Sequence, residues 1–182
     1  MHIENHLLTP IEFIVSPNCD KRPEPEDISL IVIHSISLPP NEFGANYIDQ
    51  LFTNQLDPAA HPYFKEIAHL KVSAHLLINR EGQCKQYVLF NQRAWHAGLS
   101  QYAGRERCND FSIGIELEGN DDTCYTEQQY HCLARIIGLL LAEYPKLSTE
   151  AIVGHSDVAP GRKTDPGPCF DWLHLQHLLA GR

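Results

Sequence analysis

The stretch Leu30-Ile31-Val32-Ile33-His34 sets four apolar residues in a row, three of them β-branched, ahead of an imidazole. Such a run leaves no face for water and reads as a strand buried on both sides, as found in sheets covered by helices. Outward from it, Phe111-Ser112-Ile113-Gly114-Ile115-Glu116-Leu117-Glu118 alternates, with Ile113, Ile115 and Leu117 on one face and Ser112, Gly114, Glu116 and Glu118 on the other. Glu116 therefore points away from the apolar layer, beside a glycine that leaves room. Ser73 to Ile78 and Gln83 to Leu89 flank Asn79-Arg80-Glu81-Gly82 and predict a β-hairpin, with His75 on the sheet. Thr126-Glu127-Gln128-Gln129 has the form of a capping box. The series Cys132, Leu133, Ile136, Ile137, Leu140, Leu141 then continues at helical spacing until Tyr144-Pro145. Tyr47 to Phe52 predicts a short amphipathic helix, Ala151 to Gly154 a short strand, and Asp171 the cap of a last helix through Leu179. Strands and helices alternate, so the expected fold class is α/β: one domain over residues 1–182, a central mixed sheet flanked by α-helices. Residues 1–27, with Pro10, Pro17, Pro23 and Pro25, are expected to be an irregular lead-in.

The chemistry concentrates near the C-terminus, in His155-Ser156-Asp157-Val158-Ala159-Pro160-Gly161-Arg162-Lys163-Thr164-Asp165-Pro166-Gly167-Pro168. Its glycines and prolines predict an ordered loop in place of a regular helix or interior strand. His34 and His155 each close a predicted buried strand, where the ends of sheets commonly carry ligands. Two imidazoles and one carboxylate, His34, His155 and Asp165, would hold one zinc ion per chain and leave a coordination position open, as a catalytic zinc requires. Asp165 could equally cap the turn before Pro166. Asp157 is the rival carboxylate, better suited to accept a hydrogen bond from a ligand imidazole. Cys169 is a spare ligand. Glu116 reads either as a site residue or as a surface carboxylate. Ala94-Trp95-His96-Ala97-Gly98, before a stretch Leu99 to Asn109 expected to be flexible, reads as a binding loop. The histidines at 2, 6, 61, 69, 131, 174 and 177 read as ordinary surface or core residues.

Composition narrows the partners. A formal net charge of -9 over 182 residues offers no basic patch for nucleic acid or an anionic membrane. No apolar run approaches the roughly 20 residues of a membrane span. Six cysteines occur without Cys-x-x-Cys spacing, and the N-terminus lacks a basic region followed by an apolar core. Free thiols in a cytoplasmic protein, acting as a monomer, are the expectation.

Taken together, Leu30 to His34, Trp95-His96-Ala97-Gly98, Ser112 to Glu116 and Gly154 to Pro168 resemble the zinc N-acetylmuramoyl-L-alanine amidases of the amidase-2 family. Within it the likeness is to the cytosolic amidases that recycle anhydro-muropeptides. It extends through Ile67 to His75 and Gly104 to Phe111. The resemblance implies zinc ligands at His34, His155 and Asp165, with Glu116 moving protons and Lys163 steadying an oxyanion. It also implies substrate contacts from Trp95 (sugar face) and Arg107 (a stem-peptide carboxylate). Ser35 stands where close relatives tend to have asparagine and Lys71 where they tend to have arginine, so both belong among the substrate contacts. The implied reaction is hydrolysis of the amide between the lactyl group of (1,6-anhydro-)N-acetylmuramic acid and L-alanine. A lytic amidase on polymeric peptidoglycan and a peptidoglycan-binding module without hydrolysis are the competing readings.

Overall fold

The computed structural model describes residues 1–181. Six strands in chain order form the central sheet: β1 (Glu12–Phe13), β2 (Leu30–Ile36), β3 (Leu76–Ile78), β4 (Cys84–Gln86), β5 (Ser112–Glu118) and β6 (Ile152–Gly154). Five helices accompany them: α1 (Tyr47–Phe52), α2 (Phe64–Ile67), α3 (Glu127–Glu143), α4 (His155–Val158) and α5 (Trp172–Ala180). The spatial order is β6-β2-β5-β3-β4-β1, parallel throughout except for the β3–β4 hairpin. This is the mixed sheet that the alternation of strand and helix patterns predicts.

The two faces of β2 and β5 are both covered, for different purposes. Ile31, Ile33, Ile113, Ile115 and Leu117 pack with Leu133, Ile136, Ile137 and Leu140 of α3 and Leu175 of α5. Leu30 and Val32 face the other way, onto Ala97, Cys108, Phe111 and Val158. All seven residues of β5 are buried, Glu116 and Glu118 included, which removes the reading of Glu116 as a surface carboxylate. The capping box forms as the sequence predicts: Thr126 Oγ1 accepts from the Gln129 amide at 3.2 Å, and Gln129 Oε1 accepts from the Thr126 amide at 3.1 Å. Asp171 caps α5 through the His174 amide at 2.9 Å.

Three expectations need correction. The lead-in is not irregular: His2–Glu4 pairs with Leu7–Thr9, β1 extends the central sheet, and Cys19–Lys21 pairs with Gln92–Ala94. Its prolines fall between these short strands, where no ladder N–H is lost. Second, the segment opening at His155 starts with one turn of helix, α4, because its first proline comes only at Pro160. Third, the stretch after Gly98 is ordered as a small hairpin, Gln101–Tyr102 with Arg105–Glu106, and a 3-10 turn over Cys108–Asp110.

One buried cation ties the lead-in to this stretch. Arg22, 3% exposed, donates to the carbonyls of Phe90 (3.1 Å), Asn109 (3.1 Å), Asp110 (3.2 Å) and Ser112 (2.7 Å). It faces carbonyl dipoles in place of a carboxylate, and burial lowers its pKa to about 10. Arg22→Leu strands four carbonyl oxygens, each costing about 1–3 kcal/mol if it stays dry, against which the relieved desolvation of the guanidinium is set. A net loss of at least about 2 kcal/mol is expected, read as a lower urea midpoint at unchanged slope.

Candidate metal centre and cleft

The site lies at the C-terminal ends of the parallel strands β2, β5 and β6, where open sheets of this kind hold ligands. Strand register places His34 directly beside Glu116, and neighbouring positions of paired strands project to the same side of a sheet. Gly154 ends β6 and hands His155 to the first turn of α4. The chain then returns, with the Asp165 carbonyl accepting from the Ser156 amide at 2.9 Å, which brings the Asp165 carboxylate over the two rings.

Three atoms converge. His34 Nδ1 lies 3.0 Å from His155 Nδ1 and 3.2 Å from Asp165 Oδ2, and His155 Nδ1 lies 3.0 Å from that same oxygen. His155 Nε2 sits 3.2 Å from the Ala97 carbonyl, which can only accept, so Nε2 is the donor and, as a metal ligand, the ring would turn the lone pair of Nδ1 inward. Among the described residues this trio is the one group of histidine, cysteine and acidic side chains with metal-ligand spacing. Its edges approach the roughly 3.3 Å between ligand atoms of a tetrahedral zinc with bonds of about 2.0–2.1 Å. Two imidazole nitrogens and one carboxylate also match the donor set of an open zinc site, so the residues present fit that ion.

The electrostatics agree with the geometry. Burial holds His34 at a pKa of about 4, so its ring is uncharged near neutrality. Burial would raise Asp165, but the His155 and His34 rings beside it outweigh that and hold the carboxyl well below its usual range. Glu116 behaves oppositely. It is 9% exposed, its Oε2 has no hydrogen-bond partner, and burial, then the charge of Asp165, pushes its pKa well up against the pull of Lys163.

A cleft of about 340 Å³ opens over these groups, floored by His34, Glu116, His155 and Asp165 and walled by Ser35, Tyr63, Leu70, Trp95 and Lys163. A larger and more apolar groove of about 410 Å³ under α5 contains Glu150 as its one titratable side chain, so the chemistry belongs to the cleft. The sequence-derived candidates His34, His155, Asp165, Glu116, Lys163, Trp95 and Ser35 thus meet in one place. Lys71 and Arg107 do not line it: Lys71 is exposed between the cleft residues Leu70 and Val72, and Arg107 is exposed and pairs with Asp110 at 3.3 Å.

Other expectations resolve differently. The Asp165 carboxylate turns to the rings and does not cap the turn. Asp157 touches no imidazole; its Oδ2 accepts from the Gly154 amide at 2.7 Å and caps α4. Cys169 stands outside the trio, and all six cysteines are free. His96, read as part of a binding loop, lines the cleft beside Trp95 and also packs against His34, with its Nδ1 2.9 Å from His34 Nε2. The signal for it was Gly114, whose missing side chain leaves the space that the His96 ring fills: a Cβ there would lie 2.5 Å from His96 Cγ.

With this geometry in place, comparison gives the class. Residues 24–168 match the family described as N-acetylmuramoyl-L-alanine amidase, and the chain belongs to that family. It is 58% identical over 167 residues to the 1,6-anhydro-N-acetylmuramyl-L-alanine amidase AmpD of Salmonella typhimurium (strain SL1344), covering 92% of this chain and 89% of that one. A crystal structure of a selenomethionine derivative of AmpD superposes with a TM-score of 0.96 at 54% identity, covering 98% of this chain and 99% of the other. AmpDh3 from Pseudomonas aeruginosa, solved in complex with anhydromuramic pentapeptide, superposes with a TM-score of 0.62 at 30% identity, covering 86% of this chain and 61% of that one.

The buried rings predict a pH dependence. His34 at about 4 and His75 at about 3, both lowered first by burial, exclude protons that the unfolded chain accepts at about 6.5. Between these values the unfolded state binds more protons, so stability is complete above about pH 6.5 and is lost as pH falls toward 4. Metal-free protein should therefore lose more than about 1.4 kcal/mol per pH unit across this window, measured by urea unfolding at fixed ionic strength. A flat profile contradicts the burial of these imidazoles as neutral rings.

Proposed function

We propose that the chain is a zinc-dependent amidase that hydrolyses the amide between the lactyl group of 1,6-anhydro-N-acetylmuramic acid and L-alanine in soluble muropeptides. The observation that carries this reading is the convergence of three acceptor atoms, His34 Nδ1, His155 Nδ1 and Asp165 Oδ2, beside an unpartnered buried carboxyl oxygen of Glu116. The relatives support the substrate class, since the AmpD name specifies the anhydro sugar and the AmpDh3 complex holds an anhydromuramic peptide.

His34, His155 and Asp165 would hold the ion. Zinc there supplies Lewis acidity, polarising the amide carbonyl and acidifying the attacking water toward a pKa of about 7. Glu116 takes the proton of that water and delivers one to the departing alanine nitrogen; its raised pKa suits a group that must both accept and donate. The Lys163 ammonium on the rim offsets the charge that develops on the carbonyl oxygen. Trp95 gives the sugar an apolar wall, and Ser35 a hydroxyl beside the scissile amide. Lys71 and Arg107, outside the cleft, serve parts of the substrate that extend beyond it, with Arg107 facing a stem-peptide carboxylate. The free cysteines accord with a reducing cytoplasm, and the anhydro sugar in the relatives' name accords with a recycling role. No described helix is long and apolar enough to cross a membrane.

Purified protein given soluble anhydro-muropeptide should release free peptide, lose activity with a chelator and regain it with zinc. Release from intact sacculi but not from the soluble substrate would favour a lytic amidase, and binding without release a non-catalytic module. Glu116→Gln should keep its zinc and lose about 10²–10⁴-fold in kcat. Lys163→Ala should lose about 10²–10³-fold, roughly 3–4 kcal/mol of transition-state stabilisation. An undiminished kcat in either variant removes that side chain from the reaction.

A further inference from the structure

We infer that His96 and Asn109 form one positioning unit that fixes the tautomer and orientation of both imidazoles of the metal centre, an inference that rests on the zinc reading above. Neither residue reaches the converging atoms: His96 acts on the His34 ring, and Asn109 acts through the backbone of His96 and Ala97.

A neutral imidazole carries one proton and one inward-usable lone pair, so whatever bonds the outer nitrogen decides which nitrogen can serve as a ligand. For His34 the outer partner is His96: His34 Nε2 lies 2.9 Å from His96 Nδ1, and His96 Nε2 lies 3.2 Å from Ser112 Oγ. With its own proton on Nε2, donated to Ser112, His96 presents an acceptor at Nδ1. His34 then donates from Nε2 and leaves Nδ1 free. The two rings stand nearly perpendicular, with centroids 5.0 Å apart and planes at 85°, and they meet through these two nitrogens. The floor at Gly114 leaves the His96 ring no room to sink away from that contact.

For His155 the outer partner is the next residue's backbone. The Ala97 carbonyl accepts from His155 Nε2 at 3.2 Å and from Arg162 Nη2 at 2.7 Å. Both arms are set by one side chain, because Asn109 Oδ1 accepts from the amides of His96 (3.2 Å) and Ala97 (2.8 Å). Asn109 stands in the 3-10 turn after Arg107, whose left-handed backbone (φ 62°) aims the turn back at this segment. Thus one amide oxygen fixes the backbone from which a ring steadies His34 and a carbonyl steadies His155. Partners of this outer kind typically account for 10–100-fold in metal affinity.

The test uses the full chain, with zinc titrated against a chromophoric chelator. Isotope-labelled imidazoles report the tautomers by NMR, and zinc-free melting temperatures separate stability from affinity. His96→Ala should weaken zinc binding about 10–100-fold. His96→Gln, whose amide oxygen can still accept from His34, should recover most of that affinity. Should His96→Ala not fold, Asn109→Ala carries the test. It should weaken zinc binding and reduce the Nε2-protonated fraction of both His34 and His155. A folded His96→Ala protein, or should it not fold an Asn109→Ala protein, that binds zinc as tightly as the unsubstituted chain with unchanged tautomers would overturn the inference, as would equal losses for His96→Ala and His96→Gln. If the unsubstituted chain itself binds no zinc, the failure lies with the metal reading and not with the positioning unit.

Discussion

Two imidazole nitrogens and a carboxylate oxygen held about 3 Å apart crowd their lone pairs onto one point, an arrangement that a cation between them stabilises. Everything near the cleft answers to that constraint. The fold must bring the trio together against its own repulsion, and it does so with rigid parts: two rings anchored at strand ends, and a carboxylate on a return loop tied to α4 through the Ser156 amide. An arrangement set in advance leaves little reorganisation for binding or for the chemical step.

The sheet gives the same constraint a second use. Because β2 and β5 run parallel in a register that opposes His34 and Glu116, a metal-facing ring and a proton-carrying carboxyl share one floor. Burial of that floor dries the carboxyl, and drying raises its proton affinity. Lys163 approaches from the rim, where solvent keeps its charge inexpensive and its stem can follow a substrate. Hydrophobic packing on the opposite face, onto α3 and α5, holds this floor flat without lending a polar atom to the reaction.

What could be read from the chain alone follows the range of the forces involved. The run Leu30 to His34, the hairpin around Gly82 and the Thr126 capping box are set by residues within one or two turns of one another, and each formed as its local pattern dictates. His34 and His155 were legible because each lies at the end of such a local strand, whereas Asp165 stands in a loop where spacing alone left ligand and turn cap equally open, and only the family resemblance favoured the ligand. The fate of Asp157 was not: whether it reached a ring or a backbone amide turned on α4 coiling at once, which depends on Pro166 and Asp165 packing back over Gly154. The lead-in strands Glu12–Phe13 and Cys19–Lys21 are two and three residues long and owe their form to partners more than 70 positions away, such as Cys19 opposite Ala94. Glu116 alternated as an outward residue would, and only the layer above the sheet turned that outward face into an interior.

The empty side chain of Gly114 has a bearing beyond this one molecule. Any methyl group at that position collides with the imidazole of His96, so a lineage cannot enlarge one without first shrinking the other. Positions 96 and 114, on different elements and 18 residues apart, are therefore expected to drift as a linked pair, with intermediate genotypes paying in fitness for either step taken alone.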